Sequence, residues 1–160
     1  PQLLADRVQL LHVAGTLDHE RVAAEASVGP EDGYHLFPYL HGADMGLAMA
    51  AADMVVSRGG ASVIGEFPLF ELPSVLVPYP YAWRYQKVNA DWLAARGAAI
   101  HMADADMATD LYPTLNGLFT NAERLATMRD HAAALAQPGS AKRVAGTLAE
   151  IAQERNGAKG

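Results

Sequence analysis

The chain contains no cysteine. That absence removes disulfide staples, thiolate nucleophiles, Cys-ligated zinc and iron–sulfur clusters together. Basic residues are scarce as well: 12 Lys and Arg against 18 Asp and Glu leave a net charge of −6. This is the wrong sign for a surface that neutralises a phosphate backbone or anionic lipid, so no nucleic acid partner and no membrane contact by this segment are expected. Long apolar runs are missing too. The longest, Gly46 to Ala52, falls far short of the ~18 residues a membrane-spanning helix needs, and the N-terminus lacks the basic flank and apolar core of a secretory signal. A soluble, cytoplasmic location is expected. No internal repeat is visible, and the polar stretch 153–160 is expected to be a flexible tail.

What is present is enough for one globular domain. With 160 residues, 51% of them hydrophobic and 19% charged, the chain can bury roughly 70% of its unfolded surface without staples. The domain is expected to span residues 1–152. Short β-branched or leucine-rich runs recur, each followed by an amphipathic segment, which is the alternation of parallel strands joined by helices. Strands are predicted at Val8–Val13, Tyr34–Tyr39, Asp53–Ser57, Ser74–Val77 and Ala98–Met102. Helices are predicted from Asp18 (with Val22, Ala23 and Ala26 inward), over Asp44–Ala51, from Ala61, and over Tyr85–Ala95, Met107–Phe119, Ala122–Ala136 and Ala141–Ala152. Continuous apolar strands imply a sheet buried on both faces. The expected fold class is therefore α/β, a Rossmann-like parallel sheet with helices on both faces. In such sheets ligands bind beyond the carboxyl ends of the strands, and this selects Gly15-Thr16, Tyr39-Leu40-His41, Ser57 to Glu66, and Pro78 to Asn89.

The segment Ser57-Arg58-Gly59-Gly60-Ala61-Ser62 puts two glycines and two small residues between a strand and a helix. Backbone N–H groups can there approach an anion with no Cβ in the way; the same pattern also serves a tight turn with Ser62 near the cap. It is neither a Gly-Lys-Ser/Thr P-loop nor a G-x-G-x-x-G fingerprint. Glu66 follows one helical turn later, where a carboxylate could accept hydrogen bonds from a vicinal diol or simply face solvent. Gln86 and Asn89 share a helix face, and neutral amides there suit hydroxyls or act as caps. Asp104-Ala105-Asp106 is read as N-cap and first-turn charge for the helix that follows, not as a metal-binding pair, because no third oxygen ligand is evident nearby. The six histidines, at 12, 19, 35, 41, 101 and 131, show no metal-ligand spacing. His12 is expected to be a satisfied core histidine, and His19 and His41 are weak acid–base candidates. Ser57 and Ser62 lack the Gly-x-Ser-x-Gly setting of a nucleophile.

Taken in order, His12-Val13-Ala14-Gly15, Ala52 to Ser62 with Glu66, Leu72 to Pro80, and Gln86 with Asn89-Ala90 resemble the C-terminal half of family 28 glycosyltransferases, those of peptidoglycan synthesis. The resemblance covers nearly the whole chain. It implies the donor-binding half of a two-domain GT-B enzyme. Such an enzyme transfers N-acetylglucosamine, with inversion and without a metal or other cofactor, from UDP-N-acetylglucosamine to a lipid-linked N-acetylmuramoyl-pentapeptide. By the same resemblance Leu40 lies against the uracil through its backbone, Gly60, Ala61 and Ser62 cradle the diphosphate, Glu66 takes the ribose hydroxyls, and Gln86 and Asn89 read the sugar. No catalytic residue is expected in this chain, because the family's N-terminal domain carries the candidate base, the lipid acceptor site and the contact with the inner face of the membrane.

Three departures from the family pattern stand out. The Gly-Gly-Ser-x-Gly turn that opens the family's C-terminal domain is expected upstream of Pro1, with that domain's first strand, and a sheet edge so exposed could pair with a second copy. Pro68 should kink or end the helix carrying Glu66. Tyr85 stands where the family often has a polar residue. Other readings are a different GT-B enzyme, such as a glycolipid glycosyltransferase or a UDP-N-acetylglucosamine 2-epimerase, and a non-catalytic nucleotide-sugar-binding module.

Overall fold

The computed structural model describes residues 8–81 and 84–157. β1 (Leu10–Val13) leads through α1 (His19–Glu25) and a 3-10 turn at Pro30–Asp32 to β2 (Tyr34–Phe37). Then follow α2 (Gly42–Ala51), β3 (Val55–Ser57), α3 (Val63–Leu69), β4 (Ser74–Leu76), α4 (Tyr85–Ala94) and β5 (Ala99–His101). A second 3-10 turn at Asp104–Asp106 precedes α5 (Met107–Phe119), α6 (Ala122–Ala134) and α7 (Ser140–Gly157). Every strand pair is parallel, as the alternation of apolar runs and helices predicts. Several helix limits move by one or two residues, the one expected from Ala61 starting at Val63, and the last helix runs past Ala152 to Gly157. No described helix is long and apolar enough to cross a membrane.

The parallel α/β architecture with helices on both faces is as expected, with one difference in how the strands are joined. The strands form two sheets, β1-β2 and β3-β4-β5, and only the second is buried on both faces. Alternation along β4 explains why. Leu76 packs on one side with Val63, Phe67, Leu72, Ala90 and Leu93, beneath α3 and α4. Val75 and Val77 point the other way, to Met102, Leu115, Leu118 and Met128 beneath α5 and α6. In the two-stranded sheet, Leu10 and Leu11 stay 41% and 43% exposed, and α1 buries no residue. Val22 and Ala26 are only half-buried and Ala23 is exposed, so the inward face expected for that helix is largely unmet. His12 does find a partner, its Nδ1 lying 2.8 Å from the Tyr34 hydroxyl.

The proline effect is as expected. Pro68 has no N–H for the carbonyl one turn back, and α3 ends one residue later. The Leu72 N–H then donates to the Phe67 carbonyl at 2.9 Å and the Glu71 N–H to that of Pro68 at 3.0 Å. This closes a Schellman turn, whose left-handed position glycine usually fills. Here Glu71 occupies it at φ 55, the single non-glycine residue with positive φ among the described residues.

Candidate functional site

The chemistry-bearing residues gather where β3 and β4 end. Gly59 is buried against the first turn of α4, and a Cβ added to it would lie 2.3 Å from the Gln86 backbone carbonyl oxygen. No residue but glycine fits there. From one turn further along α4, the Asn89 amide nitrogen donates to the carbonyls of Gly59 at 2.9 Å and Gly60 at 3.1 Å. In a trans peptide the carbonyl and the following N–H point in opposite directions. Fixing these two carbonyls onto α4 therefore turns the N–H groups of Gly60 and Ala61 away from it. Those of Gly60, Ala61 and Ser62 donate to no acceptor among the described residues. Ser62 caps α3 by position, with no side-chain cap bond.

Gly60 differs from its neighbour. Its φ is not positive, and a Cβ added to it would meet nothing within 4 Å. Neither backbone conformation nor packing within the chain calls for glycine here. Glu66 lies one turn into α3, its N–H bound to the Ser62 carbonyl at 2.9 Å. Its carboxylate is exposed and makes no salt bridge among the described residues. Gln86 accepts a hydrogen bond from the Tyr79 backbone N–H at 2.9 Å, which ties the loop after β4 to α4. Leu40 stands apart, half-buried in the connection after β2, where the rings of Tyr39 and His41 lie 4.5 Å apart. No hydrogen bond joins that connection to the turn after β3 among the described residues.

Sequence reasoning missed the role of Arg58. Its guanidinium donates to the Val77 carbonyl at 3.1 Å and to the Asp104 carboxylate, and it lies 5.5 Å from the centre of the Tyr79 ring. One side chain thus joins the ends of β3 and β4 to the segment after β5. Asp104 is therefore not the helix cap it was expected to be: it belongs to the 3-10 turn and serves Arg58, and Asp106 takes the N-cap position of α5 without a side-chain cap bond. Also unforeseen is Asp91 on α4, bound to Lys87 at 2.6 Å and to His101 at 2.7 Å. The Lys87 ammonium first, and His101 second, hold its carboxyl below the usual range despite the opposing effect of burial. Among the described residues no group of three His, Asp or Glu side chains could hold a metal ion. His41 is exposed at the N-cap position of α2, and neither it nor His19 has a carboxylate partner among those residues. A depression of 530 Å³ is lined by Gly97, Ala99, Asn121, Arg124 and His131 among others, and by no residue of the turn after β3.

A strand-to-helix turn whose N–H groups have no acceptor among the described residues thus stands at the carboxyl edge of a parallel sheet in an α/β domain, and the sequence places that domain in a family. Residues 1–144 match the model described as the glycosyltransferase family 28 C-terminal domain, and the chain belongs to that family. Among curated relatives is the UDP-N-acetylglucosamine–N-acetylmuramyl-(pentapeptide) pyrophosphoryl-undecaprenol N-acetylglucosamine transferase of Roseiflexus sp. (strain RS-1). It is 37% identical, over 92% of this chain and 38% of that protein. The protein of the same name from Halorhodospira halophila is 38% identical, over 90% of this chain and 40% of its own length. The crystal structure of Acinetobacter baumannii MurG superposes with a TM-score of 0.77 at 27% identity, covering 92% of this chain and 43% of that one. The fold is thus that of the C-terminal half of a GT-B glycosyltransferase. The chain spans about two-fifths of the length of the curated relatives it matches.

Proposed function

We propose that this domain holds the donor of an inverting glycosyltransferase: UDP-N-acetylglucosamine, whose sugar passes to a lipid-linked N-acetylmuramoyl-pentapeptide presented by another domain. The N–H groups of Gly60, Ala61 and Ser62 receive the diphosphate and, fixed in place beforehand, stabilise the charge that grows on UDP as the glycosidic bond breaks. Glu66 accepts hydrogen bonds from the ribose hydroxyls, Leu40 offers its backbone to the uracil, and Gln86 and Asn89 face the sugar. The acceptor and the base that activates it belong to the remainder of the enzyme, which works on the cytoplasmic face of the membrane. The division of the sheet supports this reading. Classic dinucleotide-type sheets run 3-2-1-4-5-6, and the observed β2-β1 and β3-β4-β5 are that order with its central strand left out. We assign the vacant position to a strand from outside the described residues.

The observation that carries the proposal is Gly60, a glycine that nothing among the described residues requires, beside N–H groups that nothing among those residues accepts. A calorimetric titration with UDP tests it. Gly60→Ala should fold at least as stably as the parent, since alanine at a compatible position adds roughly 0.4–1 kcal/mol, yet lose UDP affinity about tenfold or more. Glu66→Ala should lose a charged hydrogen bond, about 1.5–3 kcal/mol of binding, without a change in melting temperature. Parental UDP affinity in both variants would overturn the assignment, and sugar transfer by the isolated chain would overturn the placement of the chemistry elsewhere.

A further inference from the structure

The loop between β4 and α4 exposes tyrosine to an unusual degree. Tyr79, Tyr81 and Tyr85 are 47%, 84% and 75% exposed, at the same edge of the sheet as the Gly59–Gly60 turn. Tyr79 and Tyr81 meet edge to face with ring centres 5.6 Å apart. Tyr79 is held in place by Arg58 over its ring and by Gln86 on its backbone N–H. Tyr85 opens α4 four residues before Asn89, so the two share a helix face. Because Asn89 reaches the carbonyls of Gly59 and Gly60, Tyr85 stands one turn closer to the open end of the cradle. Helical side chains cover the turn on the N-terminal side of their own Cα, which carries this ring toward the rim.

A pyranose matches such a rim. It has a C–H face that suits an aromatic ring, and an edge of hydroxyls that suits the amides of Gln86 and Asn89 nearby. We propose that Tyr85 is a specificity-determining residue of the donor site, its ring packing on the C–H face of the sugar attached to the nucleotide, with the Tyr79–Tyr81 pair as a side wall. This rests on the cradle reading given under Proposed function. A stacking contact of this kind selects sugars by the shape of a face more than by a single hydroxyl.

The test is calorimetry on the whole chain with UDP, UDP-N-acetylglucosamine and UDP-galactose, comparing the parent with Tyr85→Ala and Tyr85→Phe. Tyr85→Ala should cut the affinity for UDP-N-acetylglucosamine about three- to tenfold, the range of an aromatic contact, while the affinity for UDP stays at the parental value; Tyr85→Phe should keep both. Saturation-transfer NMR should place the sugar C–H protons against aromatic protons in the parent and lose that signal in Tyr85→Ala. An unchanged ratio of UDP-N-acetylglucosamine to UDP affinity in Tyr85→Ala overturns the proposal, as does an equal loss for both ligands, which would mean contact with the nucleotide or a damaged loop. If the parent binds no UDP at all, the cradle reading fails and this assignment falls with it. If UDP binds and only the ratio stays fixed, Tyr85 alone is misassigned.

Discussion

The β3-β4-β5 half and the β1-β2 half are built from the same parts, short parallel strands joined by helices, yet they differ in how the parts are used. In the first, Leu76, Leu93 and Leu118 are almost wholly buried in two cores on opposite faces of the sheet. In the second, β1 shows its leucines to solvent, and neither α1 nor α2 buries a residue. The difference teaches that a strand-helix alternation does not by itself make a core. Parallel strands are stable where both faces are covered, and among the described residues only β4 has a strand partner on each edge. The turn that would take an anion is anchored on the well-packed side, and Leu40 lies on the sparse side.

The largest expected effect probes this contrast directly. Leu93→Ala or Leu118→Ala should lower the free energy of unfolding by about 3–5 kcal/mol, the cost of emptying a closed core site, whereas Leu11→Ala should cost less than about 1 kcal/mol because its methyl groups already meet water. Urea unfolding curves would measure both, and similar losses for all three would erase the distinction between the halves. Next comes the pair of glycines. Gly59→Ala drives a methyl group into the backbone of α4 and should cost about 1–3 kcal/mol together with UDP binding, while Gly60→Ala separates the two. Smaller still is Glu71→Gly, which should raise stability by about 0.5–1 kcal/mol by relieving the left-handed backbone; a fall in melting temperature would show that its side chain matters more. Smallest is Asp91→Asn. The Asp91 carboxyl titrates lower in the folded than in the unfolded chain, so its contribution is present above the usual carboxylate range and vanishes as pH falls through its lowered value. Melting temperatures followed from neutral to acid pH should decline less steeply in the variant.

Much of this was legible in the residues. The apolar runs located all five strands, and Gly59-Gly60 after Val55–Ser57 marked the turn, because each is a local pattern with a local cause. Strand order is not local: the run Leu10–Val13 does not itself tell its neighbours, and although the family resemblance implied a further strand, the split between β1 and β3 could not be read. For the same reason Arg58 and Asp104, separated by 46 residues, were seen separately, one as part of a turn and the other as a cap. Spacing showed two glycines but not their different duties, which depend on α4 lying against the first and on open space beyond the second. Helix position left Glu66 either to accept from a diol or to face solvent, and that it has no salt-bridge partner among the described residues needed the fold.

The hydrogen bonds already made by α4 restrict what its two amides can still say to a ligand. Asn89 commits its nitrogen to two carbonyls, and what it retains is an oxygen that only accepts; Gln86 accepts one hydrogen bond from Tyr79 and retains both a donating nitrogen and a second lone pair on its oxygen. A hydroxyl meeting Asn89 must therefore give its proton, whereas one meeting Gln86 can either give a proton or offer a lone pair. In the donor site proposed above, Asn89 would thus fix the direction of the hydroxyl it meets, while Gln86 would leave that of its partner open.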